Sequence, residues 1–133
     1  MNYLLDTHTL VWSILQVDKI PAPVQAILRD SQNNIAVSVV SFWEVSIKYG
    51  LGKIRLNGVT PEGFLTEAEK NNFTILTLKP FEASSGHLLP FLGNHRDPFD
   101  RILIWQAMQN NMIVVSNDSD FNLYRTLGLK LIW

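Results

Sequence analysis

No cysteine occurs in the chain. Disulfide scaffolds, thiol nucleophiles and cysteine-ligated zinc are thereby excluded. A reducing cytosol is a permitted setting. An excess of one charge is missing too. Lys and Arg number 11 against 12 Asp and Glu, a net charge of -1. Nucleic-acid binding held by bulk positive charge is therefore excluded. Long apolar runs are absent: stretches such as Ile102 to Trp105 fall far short of the roughly 20 residues that cross a bilayer. The opening Met1-Asn2-Tyr3 has no basic region followed by an apolar stretch, so no secretory signal and a cytoplasmic location are expected. Glycine-rich phosphate loops, Ser/His/Asp arrangements and zincin motifs are also lacking.

What is present is enough apolar material for one core. Hydrophobic residues make up 47% and charged residues 17% of 133 residues, which argues for one ordered domain over residues 1–133. Apolar runs at Tyr3 to Leu5, Ile35 to Val40, Phe73 to Leu76 and Met112 to Val115 read as strands, with Leu129 to Trp133 as an edge strand. Helical periodicity lies between them: Thr9 to Gln16, Pro21 to Arg29, Ser41 to Leu51, Pro61 to Lys70, Phe81 to Leu89 and Asp97 to Asn110. Lys53 to Thr60 and Pro90 to Arg96 read as surface elaborations. The alternation predicts a three-layer α/β/α domain with a mainly parallel central sheet.

The acids are informative by position. Asp6 directly follows the first strand, Glu44 lies four residues after the second, and Asp118 three after the fourth. Asp97 and Asp100 open the strongest helix. Ligands of open α/β sheets bind beyond the carboxyl ends of the strands, so these acids are candidates to converge. Converging carboxylates repel unless a cation intervenes. Oxygen ligands without cysteine or clustered histidine select Mg²⁺ or Mn²⁺. Structural readings stand beside this one. Ser41 and Glu44 fit a capping box, Asp97-Pro98 fits a helix start, Asp118 fits a turn, and Asp6 fits a cap for the first helix. His8 and His87 are weak candidates, whereas His95 is a substrate-contact candidate, with Arg96 and Arg101 for phosphates. Lys48, Lys53 and Arg55 read as either phosphate contacts or a solvated face. Trp12, Trp43, Phe99 and Trp105 fall at helical spacing, with core packing as the default.

The runs Leu4-Leu5-Asp6-Thr7-His8, Ser41-Phe42-Trp43-Glu44-Val45-Ser46-Ile47-Lys48, His95-Arg96-Asp97-Pro98-Phe99-Asp100-Arg101 and Val114-Val115-Ser116-Asn117-Asp118 resemble the PIN-domain ribonucleases. The match is nearest the VapC-like toxins of bacterial type II toxin–antitoxin modules. Tyr124 to Trp133 resembles that subgroup's final strand. The resemblance covers essentially the whole chain and implies a Mg²⁺- or Mn²⁺-dependent endoribonuclease. It implies Asp6, Glu44, Asp100 and Asp118 as metal-binding catalytic acids, Thr7 and Ser116 as their hydroxyl neighbours, and Asp97 as a supporting cap. It also implies an RNA substrate, a small cognate antitoxin and a homodimer. The alternative is a non-catalytic PIN-like scaffold that binds protein or RNA.

Overall fold

The computed structural model describes residues 1–133. Five strands, β1 (Asn2–Leu5), β2 (Asn34–Ser38), β3 (Thr74–Leu76), β4 (Ile113–Val115) and β5 (Lys130–Ile132), form one sheet in the order β3-β2-β1-β4-β5. Every neighbouring pair is parallel. The helices are α1 (Thr7–Leu15), α2 (Ala22–Arg29), α3 (Val39–Gly50), α4 (Pro61–Lys70), α5 (Pro80–Ser85) and α6 (Pro98–Gln109). Short 3-10 segments cover Val17–Lys19, Gly86–Leu88 and Ser119–Leu127. The three-layer expectation holds, and the sheet is wholly parallel.

Side-chain alternation along the strands feeds two cores. Tyr3, Leu5, Ile35, Val37 and Val115 pack against residues of α1 to α4 such as Leu10, Val24, Val45 and Phe64. Leu4, Ala36 and Val114 face the other way, against Ile104 and Ala107 of α6 and against Phe121 and Tyr124. Burial on both faces is why the strands read as continuous apolar runs. Leu4, Leu5, Val37, Val114 and Val115 are all 0% exposed, and each such burial stabilises by about 1.5–3 kcal/mol.

Chain order places the site. The chain lays β2 and β3 on one side of β1, then returns to set β4 and β5 on the other. Strand order thus reverses between β1 and β4, where an open parallel sheet leaves a crevice beyond its carboxyl ends.

Several boundaries differ from the sequence reading. β2 ends at Ser38, not Val40, because the Ser38 hydroxyl accepts from the Val40 amide at 3.1 Å and starts α3 early. The cap overrides the strand preference of two valines. Ser41 and Glu44 therefore lie inside α3, and their capping box does not form. The helix expected over Phe81 to Leu89 is α5 followed by a 3-10 turn. Tyr124 sits in the last 3-10 segment, so the final strand is only β5. The two presumed surface elaborations are anchored through the buried Leu56 and His95. Trp43 is 62% exposed: it departs from core packing because Glu44, next in sequence, takes the inward direction.

Candidate active site

Asp6 leaves β1 and caps α1, its Oδ1 accepting from the Thr9 amide at 2.8 Å. Its Oδ2 accepts from Ser116 Oγ at 2.5 Å. The Asp6 amide donates to the Val115 carbonyl at 3.1 Å, so β1 and β4 stay joined up to the acid. Asp6 is 3% exposed. Burial pushes its carboxyl above the usual value, against the lowering effect of the Ser116 and Thr9 bonds. Asp118, beyond β4, caps the last 3-10 segment through the Asp120 amide at 2.9 Å. Its own amide donates to Ser116 Oγ at 3.1 Å. Ser116 thus holds both acids. Asp6, His8, Trp12, Asn117, Asp118 and Ser119 line one cavity of about 360 Å³ at the strand-order reversal.

Glu44 is buried within α3 and accepts from Thr7 Oγ1 at 2.6 Å. Thr7 Oγ1 also lies 3.1 Å from Ser41 Oγ. Lys48, one turn on, pairs with the other Glu44 oxygen. Partial burial works against the Lys48 charge, but the Glu44 carboxylate outweighs it and raises the Lys48 pKa. Asp97 caps α6, accepting from the Phe99 and Asp100 amides at 2.9 and 3.1 Å. Asp100, in the first turn, has its carboxyl pushed up to about 7. Burial is the largest cause and the Asp97 charge the next, opposed by the bond to His95.

That bond ends a hydrogen-bonded chain. Arg101 donates to Tyr124 Oη at 3.1 Å. Tyr124 Oη also lies 2.8 Å from His95 Nδ1. In the tautomer with its hydrogen on Nε2, His95 accepts from Tyr124 at Nδ1 and donates to Asp100 Oδ2, 3.2 Å away. The other Arg101 bonds reach the Leu89 and Pro90 carbonyls at 2.6 and 3.1 Å, and its guanidinium lies 3.9 Å from the Phe91 ring centroid. His95 and Arg101, expected as substrate contacts, lie instead within the protein in this structure. They are 6% and 8% exposed and fully engaged inside the protein, and they brace Asp100 from behind. Arg96 is exposed, bonded to the Gly93 and His95 carbonyls.

The acids thus fall into two groups. Asp6 and Asp118 share the cavity; Glu44, Asp97 and Asp100 gather near Lys48. Thr7 joins the groups, being the chain neighbour of Asp6 and the hydrogen-bond partner of Glu44. No three Asp, Glu or His side chains stand close enough to grip one ion among them. The donors are nevertheless all hard oxygens, and burial is the largest cause that raises the Asp6 and Asp100 carboxyls. That chemistry fits Mg²⁺ or Mn²⁺. Mg²⁺ needs only one or two carboxylates when water and phosphate complete its shell.

Sequence reasoning missed Ser41 as a partner of Thr7, Tyr124 as the hydroxyl beside His95 Nδ1, and Trp12 as a cavity wall. Only the Glu44–Lys48 pair had a local signal, its spacing of four on a helix.

A family model described as PIN domain matches residues 3–127. No curated protein matches. Among solved structures, DNA-bound VapBC from Salmonella typhimurium is 20% identical with a TM-score of 0.70, covering 99% of this chain and 97% of that one. VapBC2 from Rickettsia felis, bound to a DNA fragment from their promoter, is 21% identical with a TM-score of 0.64, over 100% and 99% of the two chains. FitAcB from Neisseria gonorrhoeae is 19% identical with a TM-score of 0.63, over 98% and 96%. At these identities the likeness is one of fold.

Proposed function

The chain belongs to the PIN domain family, and from that premise we propose that it is a Mg²⁺- or Mn²⁺-dependent endoribonuclease, the toxin of a toxin–antitoxin pair. One observation carries the reading: Asp6 and Asp118 leave the carboxyl ends of β1 and β4, on either side of the strand-order reversal, and line one cavity.

Asp6 and Asp118 would hold the ion, with Asp100 and Glu44 reaching it through water. When bound, the metal supplies a more acidic water and charge to offset that developing on the phosphodiester. The rest falls to the chain. Ser116 fixes the Asp6 carboxylate and the Asp118 amide together. Thr7 fixes Glu44, and His95 fixes Asp100 by donating from Nε2. Exposed Arg96 is left as a candidate phosphate contact. No side-chain nucleophile is required, in keeping with the absence of cysteine.

The antitoxin reading is supported by the solved relatives, which are VapBC and FitAcB structures. A homodimer and a cytoplasmic location belong to the same proposal; no helix is long and apolar enough to cross a membrane.

The test is cleavage of total RNA by wild type, Asp6→Asn and Asp100→Asn, each with Mg²⁺, Mn²⁺ or EDTA. Discrete cuts that need both metal and both acids are expected. Full cutting by Asp6→Asn, or cutting in EDTA, overturns the proposal. A folded wild type that neither cuts nor binds Mn²⁺ would point to a non-catalytic scaffold.

A further inference from the structure

Trp12 is the one large aromatic ring in the cavity that holds Asp6 and Asp118. It stands on α1, the helix that Asp6 caps, one turn beyond the exposed His8. The ring is only half-buried. Its centroid lies 5.9 Å from His8 and 5.8 Å from Trp133, both tilted contacts. Lys19 Nζ is 5.6 Å from the same centroid. Trp133 in turn lines a second cavity of about 270 Å³, which shares Asn117, Asp118 and Ser119 with the first. The loop carrying Asp118 therefore has an aromatic wall along both of its hollows.

Core packing explains only part of Trp12. Trp105 donates its Nε1–H to Ser85 Oγ at 3.0 Å, as a packed indole should. Trp12 Nε1 has no acceptor in the protein, and no buried side-chain polar atom lacks a partner. The Trp12 N–H edge is therefore open to solvent. A half-buried indole that lines the cavity, with a spare donor and Lys19 over its ring, suits an unpaired nucleobase. Aromatic faces accept bases by stacking, and a cavity of this size falls in the range that small ligands fill.

We propose that Trp12, backed by Trp133, is a nucleobase-stacking subsite that seats a base of single-stranded RNA beside the phosphate held over Asp6 and Asp118. The subsite rests on the ribonuclease reading for its substrate. It adds what the acids lack, a surface that holds RNA through a base rather than through charge. That matters in a chain of net charge -1.

The test compares wild type with Trp12→Phe, Trp12→Leu and Trp12→Ala, after matching their melting curves. The probe is a fluorescein-labelled, random-sequence single-stranded RNA of about 20 nucleotides, longer than the roughly 4–16 that such sites span. Anisotropy in Ca²⁺ measures binding; sequencing of products in Mn²⁺ measures cutting and the base preference next to the cut. Trp12→Ala and Trp12→Leu are expected to bind about 5- to 100-fold more weakly and to lose base preference at one flanking position. Trp12→Phe should stay near wild type, and Mn²⁺ affinity should be unchanged in all three. Leucine keeps apolar bulk without a π face, so it separates stacking from folding. Weakened binding without any cutting by wild type upholds the subsite and refutes the nuclease. Wild-type rate, preference and affinity in Trp12→Leu overturn the subsite and leave the nuclease standing. A wild type that neither binds nor cuts the pool overturns both.

Discussion

A single phenolic hydroxyl, held by Arg101, sits against Nδ1 of His95 and so bears on whether the Nε2 that faces Asp100 carries the hydrogen. Tyr124→Phe frees the imidazole to change tautomer. Partners behind a metal ligand are commonly worth about 10–100-fold in affinity, and a loss of that size in Mn²⁺ affinity is expected by titration calorimetry. The unpaired Arg101 and His95 groups should also cost about 1–3 kcal/mol in urea melts. Unchanged Mn²⁺ affinity would remove the bracing role. Asp100 gives a second expectation. Its carboxyl is raised from 3.8 to about 7 in the fold. An acid raised on folding contributes its full stability below the unfolded pKa and loses it as pH climbs through the folded one. The metal-free protein should therefore weaken between pH 3.8 and about 7, with the raised carboxyl of Asp6 acting in the same sense. Melting in EDTA across that range should show a shallower decline for Asp100→Asn.

At the scale of elements, the helix starts organise the site. Asp97 caps α6 and also repels Asp100, so Asp97→Ala should do two opposite things. Loss of the cap costs about 0.5–2 kcal/mol, while the Asp100 carboxyl falls toward its ordinary value. Urea melts check the first effect, and NMR titration of Asp100 checks the second. α6 is tied to the sheet by Gln106, which accepts from Ser38 Oγ at 2.6 Å and donates to the Thr77 carbonyl at 3.3 Å. Most elements were legible in the sequence because they carry local signals. α4 and α6 begin with proline behind a capping side chain, and the strands are apolar runs covered on both faces. The junction of β2 and α3 was not legible. Ser38 and Ser41 are both plausible caps, and Val39 and Val40 suit a strand. Ser38 decides it, closing the pairing of β2 with β3 and capping α3 through the Val40 amide. Asp6 and Asp118 were legible from the strands they follow, Asp97 and Asp100 from the proline they flank at a helix start. The brace behind Asp100 was not, since it joins residues 29 and 23 apart in sequence.

For the whole molecule, a parallel sheet sends every carboxyl end to one edge, and the reversal between β1 and β4 opens that edge. Stability should then be linked to metal. A ligand at 100 times its Kd stabilises a fold by about 2.7 kcal/mol, so Mn²⁺ should raise the wild-type melting temperature and raise that of Asp6→Asn much less. Equal shifts in both would place the ion elsewhere. Asp6 also starts α1, through the Thr9 amide. Asparagine serves that cap as well as aspartate does. The carboxylate can thus be exchanged for an amide with the helix intact. In the descent of such a protein, falling silent and falling apart are separate events. A silenced lineage would keep its outline and whatever company it keeps, distinguishable from an active one by the residue at a single position.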